Sequence, residues 1–152
     1  MRLAVMAAVS LSTVLACSSP LRADSSPPAP VPAAPAATPE RFYNDGLQYQ
    51  KRSDFVRAAQ AYREAVRLRD AFPEAWNGLG LALRQQGQYP EALRAYEKAL
   101  ALRPNYAEAL EYMGEALVKM GRLDDARALL KRLEPLDPVE AGKLRALIER
   151  GR

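Results

Sequence analysis

The chain has 152 residues, 49% of them hydrophobic and 26% charged, a balance that suits one soluble globular domain with appendages. Its net charge of +4 comes from 22 basic and 18 acidic residues that are interspersed rather than gathered into a stripe, so nucleic acid is not an expected partner. One cysteine excludes an internal disulfide, and the lack of histidine removes the commonest general base and metal ligand.

The first element is an apolar run, Leu3 to Ala16, broken only by Ser10, Ser12 and Thr13 and preceded by Arg2. This is the layout of a secretory signal over residues 1–16. At 14 residues it is shorter than the roughly 20 that a spanning helix needs. Its end, Val14, Leu15, Ala16 and Cys17, resembles the bacterial lipobox. The resemblance implies that Cys17 becomes the mature N-terminus and carries lipid. Each buried methylene contributes about 0.8 kcal/mol, so two acyl chains hold firmly where one holds only marginally. Ser18 after the cysteine, rather than Asp, implies by the same resemblance an outer-membrane lipoprotein facing the periplasm. The alternative is an ordinary signal peptide cut elsewhere, for instance after Ala23, and a soluble secreted adaptor.

From Ser18 to Ala37 the sequence is Pro, Ala and Ser with almost no large apolar residue. It cannot bury a core, so residues 17–38 read as a disordered tether whose polyproline reach is roughly 60 Å.

Past Thr38 the chain repeats. Phe42, Trp76 and Leu110 are 34 apart, as are Gly46, Gly80 and Gly114, and Ala58, Ala92 and Ala126. Three copies follow without insertion, 39–72, 73–106 and 107–140. In the middle copy Trp76, Leu79, Gly80, Tyr89, Ala92, Tyr96, Ala99 and Pro104 resemble the signature of the tetratricopeptide repeat, a helix-turn-helix unit. The resemblance implies an all-α fold, a right-handed superhelical solenoid of three units, with residues 138–150 as a C-terminal capping helix. Departures are Asp45, Ser53 at the turn where copy two has Gly87, Asp70 for the closing Pro, and Leu133. Physically, Gly and Ala at these positions suit helices that approach closely. Thr38 and Asp137 each precede a proline, the pattern of an N-cap followed by Pro at the first helical position. In the capping helix Val139, Leu144, Leu147 and Ile148 predict an apolar stripe.

No nucleophile, base or metal constellation stands out, and no cofactor or metal is expected. Glu108, Glu111 and Glu115 share a helix face, either as a solvated row or as a binding surface. Read by the repeat family's groove positions, copy one contributes Glu40, Tyr43, Leu47, Gln50 and Lys51. Copy two contributes Glu74, Asn77, Leu81, Arg84 and Gln85, and copy three Glu108, Glu111, Glu115, Val118 and Lys119. The groove is expected to be apolar at its start, acidic at its end. The carboxylate clamp of chaperone-binding relatives is absent, its positions being Tyr43, Leu47, Gly78, Glu108 and Tyr112. The expected function is a non-enzymatic scaffold that binds a basic or aromatic peptide segment of another envelope protein, as lipoproteins of this build do in pilus, secretin or cell-wall assembly. An enzyme of unknown type is the competing class.

Overall fold

The computed structural model describes residues 37–151; the signal segment, Cys17 and nearly all of the tether lie outside them. Seven helices follow in order: α1 (Pro39–Lys51), α2 (Phe55–Leu68), α3 (Pro73–Gln85), α4 (Tyr89–Leu102), α5 (Ala107–Lys119), α6 (Leu123–Leu133) and α7 (Pro138–Arg150). No strand occurs among the described residues. The first helix of each pair begins 34 residues after the last, at 39, 73 and 107.

Local chemistry sets the boundaries. Thr38 Oγ1 accepts from the Arg41 N–H at 3.2 Å, and one Asp137 carboxylate oxygen accepts from the N–H groups of Val139 and Glu140 at 3.0 Å each. Both satisfy helix N–H groups that lack an intrahelical acceptor. Within each pair the first helix ends in the same Schellman turn. Asp54, Gln88 and Arg122 donate to the carbonyls of Tyr49, Leu83 and Leu117, while Ser53, Gly87 and Gly121 donate to Gln50, Arg84 and Val118. The turn residue is left-handed every time, with φ of 57° at Ser53, 76° at Gly87 and 72° at Gly121.

Packing explains the recurring small residues. The Tyr62 ring, fully buried, lies between α1 and α3 because Gly46 and Gly78 give it room. A Cβ at either glycine would stand 2.6 Å from the ring. Tyr96 fills the same socket against Gly80. These glycines therefore accept an aromatic ring rather than a helix backbone, a refinement of the sequence expectation. The alanines Ala58, Ala92 and Ala126 are fully buried. In the third unit Leu130 stands where the others have tyrosine, and Leu144 of α7 occupies the space at Gly114.

The capping helix corrects one expectation. Ala141, Leu144 and Ile148 are buried and Leu147 is half-buried, whereas Val139 is 68% exposed. At 3.6 residues per turn, Ala141, Leu144 and Ile148 share a face, and Val139 lies about 200° from Ala141.

The backbones of α1, α3, α5 and α7 approach one another in succession, while α2 and α4, and α4 and α6, do not. The odd helices thus form one wall, and the even helices splay outside it. Over α3, the gap between α2 and α4 leaves an outer cavity of about 650 Å³ floored by Trp76, Leu79 and Leu83.

Candidate peptide-binding groove

Three successive inner helices bring side chains to one cleft. Tyr43, Leu47 and Gln50 come from α1, Glu74, Asn77, Gly78 and Leu81 from α3, and Glu108 and Tyr112 from α5, with Tyr62 and Tyr106 beside them. The cleft encloses about 120 Å³. Residues spaced by three or four on each helix line it, as helical periodicity requires.

Its aromatic side is fixed by packing. Tyr43 lies 5.8 Å from Tyr62 and 5.0 Å from Phe72, centroid to centroid, in tilted contacts. Tyr62 Oη donates to Gln50 Oε1 at 2.9 Å. Burial pushes the phenols of Tyr43, Tyr62, Tyr106 and Tyr112 above their ordinary range, so they stay protonated and can donate hydrogen bonds. Asn77 is 8% exposed; its Nδ2 donates to Tyr106 Oη at 3.4 Å, and its Oδ1 has no hydrogen-bond partner.

A charge ladder runs along the groove edge. Arg69 pairs with Glu40 and lies 3.9 Å above the Phe72 ring, and Arg103 pairs with Glu74 and lies 4.5 Å above the Tyr106 ring. The two sets are one repeat apart. Burial alone pushes the Glu74 carboxyl up, but its backbone hydrogen bond and the guanidiniums of Arg103 and Arg69 outweigh that and hold it below its usual range. At the third step Asp137 occupies the arginine position, and Glu108 has no ion pair among the described residues.

The sequence-predicted residues divide three ways. Tyr43, Leu47, Gln50, Asn77, Leu81 and Glu108 line this cleft. Arg84, Glu115 and Val118 instead line a second cleft of about 530 Å³, with Lys119 and with Leu147 and Arg150 of α7. There Arg84 pairs with Glu115 and lies 5.2 Å from the Tyr112 ring centre. Glu111 turns towards α7: burial first, then contact with Glu140, pushes its carboxyl up to about 7. The acidic row is therefore one ion-paired carboxylate, one held against another carboxyl, and one without an ion pair. All five positions matched to the missing clamp, Tyr43, Leu47, Gly78, Glu108 and Tyr112, line the first cleft. Tyr106 was not foreseen; it precedes α5, but its place one repeat after Phe72 is a signal that could have found it.

Paired antiparallel helices with a 34-residue period and an inner wall of first helices define a helical solenoid. The chain carries tetratricopeptide repeats: residues 43–95 match the tetratricopeptide repeat family and residues 80–121 the TPR repeat family. Solved structures share the fold. The TPR2B domain of yeast Sti1, in a complex with pHsp70, is 21% identical with a TM-score of 0.72, the match covering 75% of this chain and 98% of that one. The Arabidopsis OM64 TPR domain is 19% identical with a TM-score of 0.72, covering 76% and 97%. The second TPR domain of human RPAP3, in complex with the HSP70 peptide SGPTIEEVD, is 20% identical with a TM-score of 0.67, covering 73% and 98%. No curated protein matches the chain.

Proposed function

We propose that the chain is a non-enzymatic protein-interaction scaffold that holds an extended segment of a partner protein in the groove of its inner wall. The observation that carries this reading is the convergence of α1, α3 and α5 on one cleft with an aromatic side and an acidic mouth. The pHsp70 complex of the yeast domain and the HSP70-peptide complex of the human one, which share this fold, support it. The partner segment differs in character from the acidic SGPTIEEVD peptide of the human relative. The cleft presents Tyr43, Leu47, Gly78, Glu108 and Tyr112, while the nearby Arg69, Arg84 and Arg103 are each paired with a glutamate.

In this reading Cys17 carries lipid and anchors the protein in a bacterial envelope, at the outer membrane and facing the periplasm, on the strength of Val14, Leu15 and Ala16 before it. The partner is then another envelope protein, of the kind that builds a pilus, a secretin or the cell wall. A photo-crosslinking residue at Leu81 in the native envelope tests the groove. One partner captured from Leu81, and not from exposed Val139 of α7, supports the reading; equal capture from both positions removes it. Intact mass tests the anchor, with loss of residues 1–16 and added acyl mass as the expected result.

A further inference from the structure

The charge ladder of the groove stops one guanidinium short. In the first two repeats a glutamate, an arginine and an aromatic ring form one unit: Glu40 with Arg69 over Phe72, and Glu74 with Arg103 over Tyr106. Neighbouring rungs feel each other, since Arg69 acts on Glu74 and Glu108 acts on Arg103. The ladder therefore alternates Glu40, Arg69, Glu74, Arg103, Glu108. Three carboxylates face two guanidiniums, and the excess charge is on Glu108, at the mouth of the cleft.

A second, independent observation points into the same space. Asn77, more than nine-tenths buried, is one of the residues lining the cleft, and its buried Oδ1 accepts no hydrogen bond. A buried amide oxygen without a donor keeps its full desolvation cost, so a ligand that donates to it gains what the free protein lacks. Tyr43 and Tyr112 line the same cleft. A buried acceptor, a carboxylate at the mouth and an aromatic lining form a site for a cation with several planar donors.

We propose that this cleft takes an arginine side chain of the partner segment, whose guanidinium pairs with Glu108 as the missing third rung and donates to Asn77 Oδ1. The proposal rests on the groove reading above. Arginine rather than lysine fits, because among the described residues each cation found over a ring is a guanidinium and because its planar donors can reach two acceptors at once.

The test pans random ten-residue peptides on the full chain, then measures a selected peptide and its arginine-to-citrulline version on wild type and on Glu108→Gln. Citrulline keeps the shape and removes the charge. Glu108 is exposed, so this variant is expected to fold as wild type does, which circular dichroism checks. The expected result is arginine enriched at one position, a citrulline penalty of about tenfold or more on wild type, and a much smaller penalty on Glu108→Gln. Selected peptides without arginine, or an undiminished penalty on Glu108→Gln, overturn the proposal while leaving the groove reading in place, provided that Tyr43→Ala weakens them. If neither Tyr43→Ala nor Leu81→Arg weakens any selected peptide, the groove reading itself fails and takes this proposal with it.

Discussion

The first two repeats and the third solve the same packing problem with different residues. In the first two, a tyrosine from the second helix, Tyr62 or Tyr96, fills a glycine socket on an inner helix. In the third, Leu130 is too short for that role, and Leu144 from the capping helix fills the space at Gly114. The charge pattern changes at the same place, where Asp137 replaces the arginine of the ladder and caps α7 instead. The third unit thus packs on the capping helix through residues that depart from the repeat pattern.

The largest expected effect tests the wedge. Tyr62 touches two glycines from two units, so Tyr62→Ala should cost about 3–5 kcal/mol, the usual range for emptying an aromatic core site. In so short an array that is a large share of the whole stability. Thermal unfolding followed by circular dichroism reads it, and a loss below about 1 kcal/mol would mean that the ring does not join the units.

A paired substitution sharpens the contrast. Gly80→Ala puts a methyl 2.5 Å from the Tyr96 ring, which is wedged and has nowhere to go, so a net cost of about 1–3 kcal/mol is expected. Gly114→Ala meets the two methyls of Leu144 at 2.6 and 2.9 Å, on a side chain that is fully buried but smaller and less rigid than a ring. Because alanine is preferred to glycine inside a helix by roughly 0.5–1 kcal/mol, part of that clash is offset and the cost should be smaller than at Gly80. Equal costs at the two sites would erase the distinction between the repeats and the cap.

How much of this the sequence discloses follows from where each partner lies. Period, turns and the Thr38 and Asp137 caps are local or strictly periodic, so Phe42, Trp76 and Leu110 alone set the register. The division of the acidic row was hidden. Arg84 reaches Glu115 from 31 residues away, and Glu140 meets Glu111 from a helix outside the repeats. Neither contact has a periodic signature. Val139 looked like core because it is apolar, yet the angle at which α7 docks turns it to water. The glycine sockets were legible as small positions but not as ring sites, since the rings that fill them stand on other helices.

The join between the third repeat and the cap has its own pH signature. Glu111 is lifted from 4.5 to about 7, by burial first and then by Glu140, with Glu115 adding to the rise and Lys143 opposing it. Glu140 is held below its usual range, by Lys143 first, and so titrates beneath this window. Between about 4.5 and 7 the folded state retains a proton that the unfolded chain has released, so stability should fall as pH rises through that window and level off above it. Water still reaches this carboxyl, and screening reduces the expected fall to about 1 kcal/mol. Glu111→Gln, which mimics the protonated form, should flatten the profile. A wild-type melting temperature that does not drop between pH 5 and pH 7.5 would show that the two carboxyls do not meet.

The smallest effect compares the three turns directly. Ser53, Gly87 and Gly121 occupy the same left-handed position of the same Schellman turn, but only Ser53 carries a Cβ there. An L-residue in that region meets the following carbonyl, while glycine does not. Ser53 is exposed, so its substitution disturbs no core contact. Ser53→Gly should therefore stabilise, though only by about 0.5–1 kcal/mol, because glycine also gains freedom in the unfolded chain. Gly87→Ser should cost a similar amount, since a Cβ at Gly87 meets open space and the penalty is conformational alone. Denaturant midpoints of the two variants, measured with unchanged slopes, should move in opposite directions from wild type. If Ser53→Gly lowers the midpoint instead, the first turn is held by something its hydroxyl contributes, and the three turns are not equivalent.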